Sequence, residues 1–400
     1  MIIKIVRIVY YFLRKWVLIK IAIIFYPIFS AAALRRVKGY DKKRPRILVI
    51  PQFTRIGDLV CATPVFRAIK LAYPDAYLAV LVTNRTAPII KNNPRVDRII
   101  TFKSIDFCSR VLPEVRRERF DWSFNLSASA VGTLVSLYGF IPHRVKLTRR
   151  PRPLAEILAD CLNTEAVRYE HHTYLPGYYL KMLRSLGIQN PEEVQEVFST
   201  PEGDRKAAEF LRMHSVGEKD LLVGISITAN NKIKEWGDEK FAEVTRHLLE
   251  RYSAKVAILG SKKDEARIDI FLRRFNTNPQ MNTNPRIFKA VDFSLEELPS
   301  FMKRLNLYIA VDTGPIYIAH ALKVPLIDIV GPVDPREQPP KDERSIQVLP
   351  GNLPAGGQGI EPSSFVMKRS GNITSHMQAL EAISVSAILL AIDKLLRNRY

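Results

Sequence analysis

The sequence predicts an α/β protein of two domains, each a parallel β-sheet wound with helices. Three observations predict it. Short apolar runs alternate with helix-like segments along most of the chain, as in strands joined by helical crossovers. The alternation lapses over the polar, proline-containing stretch NPEEVQEVFSTPEGD (190–204) and then restarts. The chain has 400 residues, a length that suits two domains.

The first element, residues 1–45, is of another kind. Residues 1–46 hold 12 Lys/Arg and one acid, Asp41, so they carry +11 of the chain's net +20; the other 354 residues carry +9. Basic charge is therefore concentrated at one end rather than spread over a nucleic-acid-binding face, and no nucleic-acid partner is expected. From Ile2 to Ile19 the polar positions Lys4, Arg7, Arg14 and Lys15 fall near helical spacing in an otherwise apolar run, a basic amphipathic helix. Ile21 to Leu34 has 14 uncharged residues. As a helix it would be about 21 Å long, short of the roughly 30 Å hydrocarbon core. Pro27 would kink it. Positive charge flanks it at Lys20, Arg35, Arg36 and Lys38. The expectation is a membrane-surface anchor on the cytoplasmic face, carried by residues 1–40, with a true span or ordinary core packing as alternatives. Deleting those residues is expected to release the protein from membranes. Three scattered cysteines, Cys61, Cys108 and Cys161, form no CxxC or metal spacing and suit a reducing compartment.

The first α/β domain is read as 46–195. Its strands are ILVI (47–50), YLAVLV (77–82), RIITF (98–102) and WSFNL (122–126), with a helix over 59–73. The second is read as 205–375. Its strands are LLVGISI (221–227), KVAILG (255–260), LYIAV (307–311) and LIDIV (326–330), with helices over 238–252, 264–275 and 294–304. A terminal helix is expected within 376–400. Ligands of such sheets bind beyond the carboxyl ends of the strands, and a cleft faced by two such domains suits a nucleotide-bearing donor meeting an acceptor.

Candidate site residues lie at those strand ends. Thr54, Arg55, Gly57 and Asp58 follow the first strand. Gly57 allows close approach or a positive φ; Asp58 is either a helix N-cap or a carboxylate that takes a proton from a hydroxyl nucleophile. In the second domain Thr228, Asn230, Asn231, Lys232 and Lys234 precede a helix, and form either an anion site or a solvated polar loop. The stretch DTGP (312–315) ends a strand and starts a helix. Thr313 offers a hydroxyl, Gly314 a sharp turn, and Pro315 suits a first helical position. Asp312 is either a cap or an acceptor for sugar hydroxyls. A phosphate cradle beside such a carboxylate fits a nucleotide sugar. The basic stretch HRVKLTRRPRP (143–153) is either a solvated surface or a hold for a phosphorylated acceptor.

Missing motifs narrow the chemistry. The chain has no GxxxxGK[ST], no GxGxxG after its first strand, no Asp-x-Asp and no Gly-x-Ser-x-Gly. Phosphate-loop NTPases, dinucleotide oxidoreductases, paired-carboxylate metal sites and serine hydrolases are disfavoured. No cofactor and no metal are expected.

From about residue 46 to 398 the chain resembles the family 9 glycosyltransferases, the ADP-heptose:lipopolysaccharide heptosyltransferases. The resemblance is carried by IGDLVCATPVFRAIKLAYPDA (56–76), HHTYLPGYYLKMLRSLGI (171–188), KEWGDEKFAEV (234–244), AILGSKKDE (257–265), VDTGPIYIAHALKVPLIDIVGPVDP (311–335) and HMQALEAISVSAILLAIDKLL (376–396), in that order. It implies a GT-B fold whose C-terminal helix crosses back to the first domain. It implies inverting, metal-independent transfer of a heptose from a nucleotide-diphosphate sugar, ADP-heptose, to a lipopolysaccharide-type acceptor at the inner membrane. Asp58 matches the family's proposed general base and Lys234 its phosphate-contacting lysine. Asp312, Thr313 and Gly314 match the residues that hold the donor's sugar and phosphates. The family often has His where this chain has Tyr317. That departure leaves open another donor sugar, or a catalytically inactive nucleotide-sugar-binding or scaffold protein of the same fold. His320, one turn on, either covers the same face or packs within its helix.

Overall fold

The computed structural model describes residues 16–37, 40–102, 107–149, 154–275, 284–331, 333–350 and 380–397. The chain divides into two compact units. The first runs to Glu170 and resumes over Leu175–Val194; the second comprises His171–Tyr174 and the chain from Gln195 onward.

The first unit holds a six-stranded sheet: β1 (Arg46–Ile50), β2 (Tyr77–Thr83), β3 (Arg98–Phe102), β4 (Trp122–Asn125), β5 (His143–Thr148) and β6 (Glu165–Arg168). The order is β3-β2-β1-β4-β5-β6, with every pair parallel. Helices on both faces bury the central strands, which explains why β1 and β2 read as nearly unbroken apolar runs rather than alternating ones. Winding reverses between β1 and β4, and the loops leaving those two strands open the crevice where such sheets take ligands.

The second unit repeats the scheme: β7 (Leu222–Ser226), β8 (Lys255–Leu259), β9 (Ile287–Ala290), β10 (Leu307–Val311), β11 (Leu326–Ile329) and β12 (Ser345–Val348), in the order β12-β11-β10-β7-β8-β9. All five pairings are parallel. Its reversal falls between β7 and β10. Two parallel-sheet α/β domains are thus present.

Four strands, β5, β6, β9 and β12, went unread in the sequence. β6, β9 and β12 are short, and β6 and β12 carry polar residues on the sheet edge. β5 was hidden by its cations. Arg144 and Lys146 are buried, so 143–148 is neither a solvated run nor an anion hold. The Arg144 guanidinium donates to the carbonyls of Leu162, Ile141 and Pro142, and Lys146 lies 3.3 Å from Asp160. Residues 150–153 lie outside the described residues.

The polar connection also shifts. A helix, Pro201–Met213, begins inside the stretch read as linker, with Thr200 as N-cap accepting from the Gly203 N–H. The terminal helix, Val385–Arg397, was expected to return to the first domain. Its buried side chains, Ile388, Ala391, Ile392 and Leu396, instead belong to the second unit's core beside Phe241 and Leu248.

At the N-terminus, Trp16–Ile24 and Tyr26–Arg35 are two helices bent by 69°, and no single described helix is long and apolar enough to cross a membrane. The break precedes Pro27, which sits in the first turn of the second helix, where its missing N–H is tolerated. One side packs: Ile19 and Ala22 join the first unit's core, the Tyr138 hydroxyl donates to the Leu18 carbonyl, and Phe29 meets Tyr138 edge-on at 5.0 Å. The other side exposes Val17, Ile21, Ile23, Ile24, Phe25, Ile28 and Leu34. The basic stripe Lys4 to Lys15 lies outside the described residues.

Candidate functional site

The second unit gathers its candidate residues where its sheet reverses. β7 delivers a loop containing Thr228, half-buried, and a 3₁₀ turn, Lys232–Lys234. Three features just beyond that turn fix it in place. The buried Trp236 indole N–H donates to the Ile383 carbonyl at 3.0 Å. Gly237 holds a φ of 109°, where a side chain would be strained, and caps the helix Asp238–Arg251. Arg267 bridges Glu235 and Asp238 at 2.8 and 2.6 Å. The stretch KEWGDEKF is therefore a mount for Lys234.

β10 delivers the facing half. Lys234 Nζ donates to the Asp312 carbonyl at 2.9 Å and to its carboxylate Oδ2 at 2.7 Å. The Tyr317 hydroxyl donates to the other oxygen, Oδ1, at 2.7 Å. Asp312 is 4% exposed, so this carboxylate is neither a helix cap nor an open acceptor; it is neutralised by Lys234 and oriented by Tyr317. Tyr317, expected among the donor contacts, is itself buried and reaches the site through Asp312.

Thr313 is the N-cap of the helix Gly314–Ala321, but its hydroxyl turns back to the Val311 carbonyl at 3.1 Å. Gly314 is the first helical residue and has no positive φ; Pro315 is second rather than first. Pro315 has no N–H, and the Ile316 N–H is taken by the Thr313 carbonyl. That leaves the N–H groups of Thr313 and Gly314 as the donors without a hydrogen-bond partner among the described residues at this end, beside the ammonium of Lys234. The arrangement suits an anion.

Behind it lies Asp328, which reads in the sequence as one more residue of the strand LIDIV. It sits in β11 opposite Ala310, fully buried, with neither carboxyl oxygen hydrogen-bonded among the described residues. Burial, and then the negative charge of Asp312, push its carboxyl well above the usual range, against the pull of Lys234. On β10, Tyr308 is also fully buried. Its hydroxyl pairs with Ser226 Oγ at 2.7 Å, and burial raises its phenol. The available signal was an acid inside an apolar strand.

In the first unit, β1 opens into Thr54 and Arg55, both exposed, and then the helix Ile56–Ala72. Arg55 is the N-cap, without a side-chain capping bond. Asp58 is the third helical residue, half-buried in the first turn, so the capping alternative is set aside. A carboxylate there is favoured by the helix dipole. Gly57 is buried and helical, with no positive φ. Tyr179 is fully buried, and its phenol is raised well up by burial, then by the charge of Asp58, with Arg149 opposing. Arg149 lies over the Tyr169 ring at 4.3 Å, and its Nε is buried without a hydrogen-bond partner among the described residues. Sequence spacing does not reveal Tyr179, whose helix meets the helix of Asp58 only in the folded unit, or Arg149, whose charge is felt at Tyr179.

His320 is a packed helix residue, its Nδ1 3.3 Å from Gln195 Oε1 and its Nε2 3.5 Å from Asp342. Although burial pulls it upward, the His320 ring and the Ser345 hydroxyl beside it hold the Asp342 carboxyl at about 2. Among the described residues, His172, Asp334 and Glu337 have ligand-type atoms within 4.8 Å of one another. Arg336 already donates to both Asp334 oxygens, at 2.9 and 3.0 Å, and the His172 N–H bonds Glu337 at 3.1 Å. The group supplies its own cation and fastens His171–Tyr174 to the loop after β11.

Comparison with known proteins sharpens this picture. The chain is 26% identical over 346 residues to lipopolysaccharide heptosyltransferase 3 of Escherichia coli, covering 84% of this chain and 96% of that one. Its fold is similar to that of a family 9 glycosyl transferase from Veillonella parvula, with TM-score 0.73 and 22% identity, covering 88% of this chain and 98% of that one. It is also similar to E. coli ADP-heptose lipopolysaccharide heptosyltransferase II, with TM-score 0.68 and 19% identity, covering 88% and 99%. The model of glycosyltransferase family 9 (heptosyltransferase) matches residues 109–358, more than half of the sequence. The chain belongs to that family and is a glycosyltransferase.

Proposed function

We propose that this chain moves a heptose, or a closely related sugar, from ADP-heptose to a lipopolysaccharide core, inverting the anomeric centre without a required metal. One observation carries the reading: Lys234 and Asp312 meet at the start of the Gly314–Ala321 helix, where unclaimed N–H groups and one ammonium await an anion. The names of the relatives support the sugar and the acceptor.

In the proposed reaction an acceptor hydroxyl gives its proton to Asp58. Its oxygen attacks the anomeric carbon on the face opposite the diphosphate, and the carbon–oxygen bond to that diphosphate breaks. Lys234 and the Thr313 and Gly314 N–H groups meet the negative charge growing on the leaving group. Thr228, Asp312 and Pro315 shape the donor's surroundings, with Tyr317 behind Asp312; Thr54, Arg55 and Gly57 belong to the acceptor side. Steady-state kinetics with ADP binding measured alongside tests this: Asp58→Ala is expected to lose turnover and keep ADP affinity. A variant with near-normal rate removes Asp58 from the role.

Residues 1–40 are proposed to hold the enzyme on the cytoplasmic face of the inner membrane, where lipid-linked acceptors are presented. The outward row from Val17 to Leu34, with Lys20 and Arg35 exposed beside it, supports this. Because Ile19 and Ala22 are core residues, deleting the segment also uncovers the first unit. Ile24→Glu with Ile28→Glu is the cleaner test. Loss of co-sedimentation with anionic vesicles is expected, and unchanged binding contradicts the placement.

A further inference from the structure

Asp328 is a buried acid with no part in the proposed proton transfer or in the cradle for the leaving group. Its position is set by the sheet. Asp328 pairs with Ala310, and Ala310 pairs with Ser226, so the three share a face. Tyr308 and Asp312, two residues to either side of Ala310, turn to that same face. Val311 and Ile329 turn the other way, into the core that includes the terminal helix. The groups facing Asp328 are therefore Asp312, Lys234 through its bond to Asp312, and the Tyr308 hydroxyl, itself engaged with Ser226. Two carboxyl groups and one ammonium share a low-dielectric pocket, and the ammonium is already committed to Asp312.

We propose that Asp328 is a positioning residue for the nucleotide-diphosphate donor, acting through Lys234: kept uncharged, it leaves Lys234 one carboxylate to pair with and one N–H for a phosphate oxygen. The proposal rests on the donor reading of the Lys234–Asp312 pair. The ammonium has three N–H groups, and Asp312 takes two of them. With Asp328 neutral, Asp312 and Lys234 cancel, and an arriving diphosphate meets no net negative charge. If Asp328 ionises, one ammonium serves two carboxylates, the pocket gains a negative charge, and the diphosphate is repelled.

The same burial has a cost in stability, and its sign is opposite to that of a salt-bridged acid. A carboxyl whose folded-state value is raised favours the folded state below the ordinary value of about 4. That advantage is lost as pH climbs from there toward the raised value. An unpartnered acid in a central strand weakens the fold at neutral pH, and a donor-site role accounts for its presence.

The test compares wild type, Asp328→Asn and Asp328→Val in the full chain, with ADP as the probe. Calorimetric ADP titrations from pH 6 to 10 and melting curves from pH 5 to 9 are recorded, ranges chosen to be about where proteins and phosphates stay tractable. Wild-type affinity is expected to fall on the alkaline side by about tenfold per pH unit once Asp328 ionises, while Asp328→Asn holds its affinity further. The phosphates of ADP titrate alike in both experiments, so the difference between the two proteins reports on Asp328 and the groups it faces. Both variants are expected to melt above wild type, by a gap that widens as pH rises. Should Asp328→Asn not fold, Asp328→Val, apolar and suited to a strand, makes the same comparison. Identical pH profiles for ADP in wild type and variant overturn the proposal, even if melting points differ. If wild type itself fails to bind ADP, the donor reading falls first and takes the proposal with it.

Discussion

The two units wind their sheets in the same order yet furnish the reversal point in opposite ways. In the first, the loop after β1 leads into a helix whose first turn carries Asp58, half-buried. In the second, the corresponding loops bring a lysine onto a buried aspartate, and the pair is closed by a tyrosine. On the proposed reading, the same scaffold yields a place where a proton is accepted and a place where an anion is received. Among the described residues, what differs is whether a cation is bonded to the carboxylate, as Lys234 is to Asp312. In that reading a carboxylate left for a hydroxyl proton is a base, and one locked to Lys234 and Tyr317 is a support for the proposed phosphate-binding group.

The contrast is broken most severely at Asp58. Asp58→Ala is expected to lower kcat by about 10²- to 10⁴-fold, the usual contribution of a placed base, with ADP affinity within about twofold of wild type. Lys234→Met should do the reverse of that split. ADP affinity should fall on the order of 100-fold in calorimetry, since a charged partner of the phosphate is lost and Asp312 is left buried without its cation. Tyr317→Phe sharpens the comparison more gently. Removing one hydrogen bond to Asp312 should cost about 1 kcal/mol, roughly fivefold in donor KM, with kcat nearly unchanged. The smallest effect is expected at His320→Asn. Asp342, held at about 2, adds stability above the ordinary carboxylate value, and that stability is lost as pH falls through about 2. The variant should melt a little below wild type at pH 5 to 7, and the difference should shrink as pH falls toward about 2, where Asp342 takes up its proton in wild type too.

Much of the fold was legible, because central parallel strands bury both faces and show as apolar runs. LYIAV, inside its sheet, matches β10 residue for residue, and RIITF, apolar enough to read although it lies at the edge, matches β3. β5 was not legible. Its Arg144 and Lys146 look like solvent-facing charge, and only the carbonyls of Leu162, Ile141 and Pro142 and the acid at Asp160, brought close by folding, make their burial tolerable. The candidate residues were legible as residue types at strand ends. How those residues bond to one another was not. Lys234 and Asp312 are 78 positions apart, so spacing gives no hint that each is the other's partner. Asp58 illustrates a finer limit: one turn of helix separates a cap from a first-turn acid, and boundaries are the least legible feature of a helix. Asp328 was hidden for the opposite reason to Lys146. A single acid in LIDIV leaves the run apolar enough to read as an ordinary strand.

The most direct test of the central claim is a crystal structure with ADP bound. The account predicts phosphate oxygens about 3 Å from Lys234 Nζ and from the Gly314 N–H, with Asp312 still held by Tyr317. A diphosphate lodged elsewhere, with both Lys234 bonds to Asp312 unchanged, would contradict it.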